Sequence, residues 1–447
     1  MQFNIPEEVC EILKKMEGAG YEIYIVGGAV RDILLGKSVD DWDYTTNATP
    51  EQIVKVFKDA YYDNKFGTVG IPSKSGLDPH EITTFRTESG YSDARRPDKV
   101  EWGKTLEEDL ERRDFTINAM ALKPQKDGFK VIDTFGGAKD LKQKSIKAVG
   151  NPVDRFSEDA LRLLRAIRIA TQLNFTIEKK TFDAIKANAP LINKIAKERV
   201  KDELIKIFAA SHPEKGVEML KESTLLDEIL PEASKMFGVE QKSPGRHHIY
   251  DVGTHALMSL KFTPSTDPVT RFATFIHDIG KPQTFKKDNK GLITFYNHEV
   301  VGTQIAKRIA LRLRFSKKET EKLLTLVRWH QFTVDEHQTD TAIRRFIRNV
   351  TPQYLPDMLD LRTGDRLGGG ASETSWRFEE FKKRLIEVQK EPFSIRDLKI
   401  NGRDVMKELS LKPGPKVGEI LEKLFKEVEE KTIENEKSIL LKRIKEI

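Results

Sequence analysis

The period at which apolar residues recur changes once along this chain, close to residue 150, and that change restricts the fold more than any other feature. Before it, short β-like runs alternate with helical ones. Tyr21–Val26, Thr68–Ile71, Glu81–Phe85 and Lys130–Ile132 read as strands, and Ala29–Leu35 reads as a helix starting after the pair Gly27-Gly28. After it, Glu158–Leu173, Ile177–Ala187, Ala196–Ala210 and Lys215–Ile229 carry apolar residues at steps of three and four, the pattern of helices with one buried face. Pro190, Pro213, Pro231 and the turn Ser243-Pro244-Gly245 punctuate them. A second helical block runs from about His247 to Asp365, the triplet Gly368-Gly369-Gly370 reads as a linker, and Glu373–Ile447 reads as a helical tail rich in Lys and Glu. The expected fold class is an α/β head, a mixed sheet with helices on it, followed by an elongated all-α neck, body and tail. The divisions are placed at 1–150, 151–240, 241–370 and 371–447.

A chain of 447 residues is long enough for about three domains. Lys and Arg total 76 against 70 Asp and Glu, a net charge of +6. This mild excess permits a nucleic-acid partner without requiring one. With 33% charged residues and a mean hydropathy of −0.51, the chain has no run near the roughly 20 apolar residues of a membrane span, so no membrane role is expected. Met1–Glu17 carries acids within its only apolar stretch and does not read as a secretory signal. The single cysteine, Cys10, excludes an intramolecular disulfide framework and a Cys-rich zinc site, and it fits a reducing, cytoplasmic setting.

In Ile25-Val26-Gly27-Gly28-Ala29-Val30-Arg31-Asp32 a glycine pair lies between strand and helix. Glycines there let backbone N–H groups approach a phosphate at the positive end of a helix, and Arg31 adds a forked donor suited to phosphate oxygens. A Gly-Gly turn is also plain punctuation, so the segment alone decides nothing. Beyond it lies Asp40-Asp41-Trp42-Asp43-Tyr44. On a strand, Asp41 and Asp43 share one face. Two adjacent carboxylates repel unless a cation lies between them, and oxygen-seeking Mg²⁺ is the usual solution. Glu81 in the Glu81–Phe85 strand is a candidate third ligand. The alternative is an acidic turn, which the preceding phosphate-type loop disfavours.

The ordered segments GGAVRD, a short helix, DWD and EITTFR resemble the head of the nucleotidyltransferase superfamily, in the branch of CCA-adding tRNA nucleotidyltransferases and bacterial poly(A) polymerases. The resemblance continues through Arg112-Arg113-Asp114-Phe115-Thr116-Ile117-Asn118-Ala119-Met120-Ala121, through Ser157-Glu158-Asp159-Ala160-Leu161-Arg162-Leu163-Leu164-Arg165, and to Glu198-Arg199-Val200. It implies that 1–150 is a nucleotidyltransferase head. It also implies that Asp41 and Asp43 bind Mg²⁺, and that Glu81 supports them by deprotonating or orienting a 3′-hydroxyl. Gly28, Arg31 and Arg113 would hold the incoming nucleotide. The implied reaction is attack of a tRNA 3′-OH on the α-phosphate of CTP or ATP, with release of pyrophosphate.

Asp159 and Arg162 fall three apart in the helix expected from Glu158, hence on one face, with Arg165 and Arg168 continuing at steps of three. A solvated salt-bridge helix would look the same. Cytosine and adenine both present an exocyclic amino donor beside an unprotonated ring nitrogen, whereas uracil and guanine present the reverse. A carboxylate beside a guanidinium can therefore accept C and A and leave mismatched groups against U and G. The resemblance implies this template role for Asp159 and Arg162, with Arg165 and Arg168 as nucleotide-binding partners. The polar loop from Arg86 to Trp102 argues against an enzyme that stops at CC, because CC-only members are expected to lack it. CCA addition and A addition alone both stay open, and poly(A) polymerase is disfavoured because no basic extension follows the body.

Across the second helical block His255, His277-Asp278, His298, His330 and Asp365 occur in order. Adjacent His and Asp on an apolar helix are costly to bury without a cation or hydrogen bonds. Imidazole with carboxylate suits Mn²⁺, Ni²⁺, Fe²⁺ or Zn²⁺. The segment resembles an HD phosphohydrolase domain, placed at 241–370. In such a domain His255, His277, Asp278 and Asp365 would hold one metal and His298 and His330 would complete a second site. Phosphohydrolase action on RNA ends or cyclic nucleotides is what that resemblance implies. Unrelated core histidines, or a retained domain without chemistry, are the alternatives.

In the tail, Pro413-Gly414-Pro415-Lys416-Val417-Gly418 resembles the glycine turn of helix-hairpin-helix elements, which can hold a nucleic-acid phosphate, though a capped helix start reads equally well. The tail at 371–447 is assigned as a tRNA contact. A reading of another class, a nucleotide-sensing or RNA-binding regulator with an inactive head, is opposed by the intact Asp41, Asp43 and Glu81.

Overall fold

The structure, a computed structural model, describes residues 3–62, 67–73, 79–89, 99–126, 128–241, 250–332, 338–389, 395–430 and 432–447. The chain forms two compact units, Met1–Phe237 with Arg308–Ser316, and Gly238–Lys307 with Lys317–Ile447. Among the described residues no helix is long and apolar enough to cross a membrane.

The first unit is built on a seven-stranded mixed sheet. Its strands are β1 (Ile23–Val26), β2 (Asp43–Thr46), β3 (Tyr61–Tyr62), β4 (Thr68–Ile71), β5 (His80–Thr84), β8 (Ala121–Gln125) and β9 (Gly128–Ile132); β6 (Arg86–Ser89) and β7 (Lys99–Trp102) pair separately as a hairpin. The order is β3-β4-β5-β2-β1-β8-β9, with β2 and β5 parallel and every other neighbouring pair antiparallel. All four residues of β1 are buried, as expected of a strand covered on both faces. One register line crosses the sheet: Val26 opposes Asp43, and Asp43 opposes Glu81.

Of the helices α1 (Glu7–Gly18), α2 (Gly28–Leu34), α3 (Pro50–Val56), α4 (Leu106–Glu111) and α5 (Gly137–Lys142), the first four pack on this sheet. Their starts follow local rules. Thr49 with Gln52, and Thr105 with Glu108, form reciprocal capping boxes that satisfy the first amides of α3 and α4. The helices that follow are α6 (Pro152–Glu158), α7 (Leu161–Leu173), α8 (Lys179–Asn188), α9 (Lys197–Phe208), α10 (Pro213–Glu222), α11 (Leu225–Ile229) and α12 (Pro231–Ser234). α7 buries Leu161, Leu163, Leu164, Ala166, Ile167 and Ala170, and packs on α9 and α10.

Two of the expected helices are each broken. The stretch 158–173 is not one helix, because Asp159 is extended (φ −137°, ψ 102°) and separates α6 from α7. Its carboxylate accepts from the amide of Leu161 at 3.0 Å, the local bond by which Asp competes with helix continuation. The stretch 215–229 breaks at Thr224, which adopts a left-handed φ of 63° between α10 and α11.

In the second unit the helices are α13 (Val252–Phe262), α14 (Pro268–Ile276), α15 (Lys281–Thr284), α16 (His298–Arg312), α17 (Lys317–Trp329), α18 (Asp340–Val350), α19 (Leu355–Gly368), α20 (Trp376–Val388), α21 (Gly402–Glu408), α22 (Pro415–Glu429) and α23 (Lys437–Ile444). The glycine triplet read as a linker begins inside a helix. Gly368 ends α19, and a Cβ on it would lie 2.5 Å from the backbone nitrogen of Ser259 in α13. Gly364, one turn earlier, faces the carbonyl of Ser259 with a Cβ position 2.6 Å away. These glycines serve backbone-to-backbone helix packing. Val405, Leu424, Leu440 and Ile444 anchor a separate apolar cluster formed by α21, α22 and α23.

Candidate active site

The turn after β1 converges with the carboxylate at the start of β2. Gly27 has a φ of 73°, and a Cβ there would lie 3.1 Å from Asp43 Oδ2 and 3.2 Å from Arg113 Nη1, so only glycine fits. The strand begins at Asp43 itself. Asp41 precedes it in an exposed, non-strand segment, which departs from the expected two-residue strand repeat, yet its charge still reaches the site. Burial, then the charges of Asp41 and Glu81, push the Asp43 carboxyl up to about 6 against the opposing pull of Arg113 and Arg165. Glu81 is raised by burial and by Asp41. With Asp41 nearby, the raised Asp43 and Glu81 carboxyls form a donor set of hard oxygens with uncompensated charge, which fits a divalent cation.

Around them the arginines are held by acids. Arg113 donates from Nη2 to Asp109 at 3.1 Å, and Asp109, wholly buried, also receives Arg112 at 2.7 and 3.0 Å. Arg31 donates to Asp32 at 2.7 and 2.9 Å and to Asn118 Oδ1 at 2.9 Å. Arg165 donates to Asp114 from Nε at 2.8 Å and lies 2.6 Å away through Nη2. Burial alone would raise Asp114, but Arg165, Asn118 and Arg162 outweigh it and hold the carboxyl far below the usual range. Arg168 pairs with Glu203 at 2.7 Å.

The Asp159–Arg162 pair differs from the expected helical face. Asp159 sits at the joint between α6 and α7, 3.6 Å from Arg199, and no side-chain bond joins it to Arg162. Arg162 is buried and donates from Nη1 to Glu158 (2.7 Å) and the Arg155 carbonyl (3.1 Å), and from Nη2 to the Arg112 carbonyl (2.9 Å). Those bonds use three of its five N–H donors. Asp159 contributes to the electrostatic environment of Arg165, Arg165 to that of Asp43, and Arg31 to that of Arg168, so these residues share one neighbourhood. Asp109, Asp114, Asn118, Glu158 and Glu203 were not singled out from sequence. Asp109 and Glu158 carry a local signal, a helical spacing of three or four residues from Arg112, Arg113 and Arg162, whereas Asp114 and Glu203 pair with Arg165 and Arg168 far along the chain. The loop from Arg86 to Trp102 lies outside the described residues over 90–98.

In the second unit six side chains meet. Asp278 lies at the centre, with Oδ1 3.2 Å from His298 Nε2 and 3.7 Å from His330 Nε2, and Oδ2 3.2 Å from His277 Nε2 and 3.7 Å from His255 Nε2. Asp365 Oδ1 is 3.1 Å from His255 Nε2 and 3.7 Å from His277 Nε2. The Nδ1 atoms of His277, His298 and His330 lie 2.7, 2.9 and 2.7 Å from the carbonyls of Thr274, Phe295 and Val327, each three residues earlier. A ring that donates Nδ1–H to a carbonyl presents an unprotonated Nε2, the tautomer a metal takes. His277 Nε2 is buried without a hydrogen-bond partner among the described residues. His255 with His277 and Asp365, and His277 with Asp278 and His330, each bring their ligand atoms within 4.8 Å of one another. This set fits a divalent metal. It opens onto a cavity of about 460 Å³ whose wall includes Lys281, Tyr296 and Arg362. Burial raises Asp278, but His277 and Lys281 outweigh it and hold it well below the usual range.

A mixed sheet that gathers carboxylates beside a glycine turn and a rank of arginines defines a nucleotidyltransferase. Comparison with known proteins agrees. Residues 23–147 match the Poly A polymerase head domain, and residues 300–444 match the tRNA nucleotidyltransferase domain 2 family. The CCA-adding enzyme of Ligilactobacillus salivarius is 35% identical over 99% of this chain and 98% of its own length; that of Streptococcus mutans is 34% identical over 97% and 96%. The crystal structure of the Bacillus stearothermophilus CCA-adding enzyme in complex with CTP superposes with a TM-score of 0.68 at 26% identity, covering 98% of this chain and 96% of that one. The Thermotoga maritima CCA-adding enzyme complexed with tRNA shares the fold, with a TM-score of 0.63 at 20% identity over 100% and 99% of the two chains. The chain belongs to the CCA-adding enzyme family.

Proposed function

We propose that this protein adds C, C and A to the 3′ end of tRNA from CTP and ATP, without a nucleic-acid template, in the cytoplasm. The observation that carries the reading is the register pairing of Asp43 with Glu81 next to the Gly27 turn, in a chain of this family. The tRNA 3′-oxygen attacks the α-phosphorus, the bond to the β-phosphate oxygen breaks, and pyrophosphate leaves. Magnesium held by Asp41, Asp43 and Glu81 would supply charge neutralisation at the reacting oxygens. Glu81 orients the 3′-hydroxyl and takes its proton. The amide of Gly28 with Arg31 and Arg113 binds the triphosphate. Asp159 accepts from the exocyclic amino group of C or A, and Arg162 donates to the ring nitrogen with its remaining Nε–H or Nη2–H. Arg165 and Arg168, set by Asp114 and Glu203, line the nucleotide pocket.

The test supplies tRNA lacking CCA, or lacking only its terminal A, with Mg²⁺ and each nucleotide. The expected products are one or two C from CTP, a single A after them, and nothing from UTP or GTP. UTP incorporation in the wild type, or unlimited A addition to any RNA, contradicts the assignment. Addition of A alone marks the narrower A-adding activity. Arg162→Ala should lower C and A incorporation by about 100-fold and narrow the gap to UTP.

A second reading concerns the histidine cluster, and its support is the three Nε2 atoms freed by carbonyl-bound Nδ1 groups. We infer that 241–370 is an HD phosphohydrolase domain binding Mn²⁺, Ni²⁺, Fe²⁺ or Zn²⁺ through His255, His277, Asp278 and Asp365, with His298 and His330 at a second position. Its substrate would be a phosphate ester at an RNA end or a cyclic nucleotide. The head at 1–150, neck and body at 151–240, and tRNA-contacting tail at 371–447 complete the proposed division.

A further inference from the structure

The line of residues that crosses the sheet through the carboxylates does not stop at Glu81. Glu81 opposes Gly70 in β4, and Gly70 opposes Tyr61 in β3. Directly opposed residues project to the same face of a sheet. Gly70 has no side chain there, and the Tyr61 ring fills the gap. A Cβ on Gly70 would contact Cζ and lie 2.7 Å from both Cε2 and the hydroxyl oxygen. The ring therefore leans back toward β5 across the one position that could have blocked it. It is 48% exposed, on the face of the sheet that carries Glu81 two strands away.

The placement assigns this ring a ligand. Attacking and leaving oxygens lie on opposite sides of a phosphorus undergoing in-line displacement. The proposed triphosphate holders, Gly28, Arg31 and Arg113, lie toward β1, one strand beyond Asp43. Pyrophosphate must leave on that flank, so the nucleophile enters from the flank of β5, β4 and β3. Strands are about 4.8 Å apart, so a ring over β4 is about one strand spacing from Glu81. That is the scale of a single nucleotide. Resting on the nucleotidyltransferase reading above, we propose that Tyr61 stacks on the 3′-terminal nucleotide of the RNA being extended. It thereby fixes the attacking hydroxyl against Glu81 without touching the incoming nucleotide. Stacking is indifferent to base identity, as required of a site that must accept a different 3′-terminal base at each successive addition.

The test uses the full-length protein with Tyr61→Ala and Tyr61→Phe. Tyr61→Ala should raise the KM for the RNA substrate about 5- to 100-fold and leave the KM for CTP and ATP unchanged, while Tyr61→Phe retains wild-type values. A second readout uses RNA with 2-aminopurine at its 3′-terminal position. Binding should quench its fluorescence with wild type and Tyr61→Phe, and much less with Tyr61→Ala under saturating protein. Thermal melting of the variants should match wild type. An unchanged RNA KM with full quenching in Tyr61→Ala overturns the proposal, as does an equal rise in the nucleotide KM. Quenching by the wild type without nucleotide incorporation would instead overturn the reaction assigned above and leave the stacking contact standing.

Discussion

Arg165 reaches from α7 to the buried carboxylate of Asp114, 2.6 Å away at the nearest approach, and Asp114 also accepts from Asn118 at 3.1 Å and from the amide of Phe115 at 2.8 Å. One acid thus joins the end of the head motif to the helix that follows Asp159. Asn118 in turn accepts from Arg31, so the phosphate-side arginine and the α7 arginine are tied through two side chains. Asp114→Ala should cost about 3 kcal/mol, because Arg165 and Asn118 both lose their acceptor. The sign with pH follows from a depressed carboxyl. Its contribution is present above the unfolded value of 3.8 and is lost as pH falls through the lower folded value. Urea titrations of wild type and variant should therefore differ at pH 7 and converge in strong acid.

Asp43 has the opposite linkage. Its carboxyl is raised from 3.8 to about 6, so the native state holds the proton more tightly than the unfolded chain and stability falls as pH rises between those values. With divalent cations chelated, Asp43→Asn should stabilise the protein at pH 7.5 by up to about 3 kcal/mol and leave it unchanged below pH 4. Added Mg²⁺ should raise the melting temperature of wild type more than that of the variant. A destabilised Asp43→Asn at pH 7.5 would contradict the crowding of negative charge at this site.

The histidine cluster makes a prediction independent of any substrate. Purified protein should carry a transition metal measurable by elemental analysis, and His277→Ala or Asp278→Ala should reduce it at least tenfold, since His277 belongs to both close ligand groupings and Asp278 lies against four of the histidines. Ring-opening hydrolysis of a 2′,3′-cyclic nucleotide to its monophosphate should disappear in the same variants. Full metal content in Asp278→Ala would remove the acid at the centre of the cluster from the ligand set.

Gly280, two residues after Asp278, offers a purely steric test. A Cβ there would run into the carbonyl of His298 and lie 2.7 Å from the amide nitrogen of Gly302, both backbone atoms of α16. Gly280→Ala should therefore cost about 2–3 kcal/mol and shift His298 relative to Asp278. The melting temperature and metal content of this variant should fall together.

The strands around the glycine turn were legible because short β-branched and aromatic runs bounded by glycine have few alternative readings. Thr68–Ile71 lies where the sequence places it, and β1 differs from its expected span only at its first two residues. Two misreadings have clear physical causes. Residues 158–162 have helical composition, but the Asp159 carboxylate binds a nearby amide and its backbone turns extended. A triplet of glycines looks flexible, yet Gly368 ends α19, where Ser259 leaves no room for a Cβ and only glycine fits. Two acids behind the arginines, Asp114 and Glu203, escaped because a pairing such as Asp114 with Arg165 joins residues 51 apart, which no local period reveals. The histidines were legible as a set, but their tautomers were not, since these depend on carbonyls at helix ends.

At Gly364 and Gly368 the main chains of α13 and α19 touch, and these helices carry His255 and Asp365, 110 residues apart in sequence. The gap between the two ligand atoms is consequently gauged by backbone meeting backbone, like two rails bolted flush. A single added methyl at either glycine would pry the two apart.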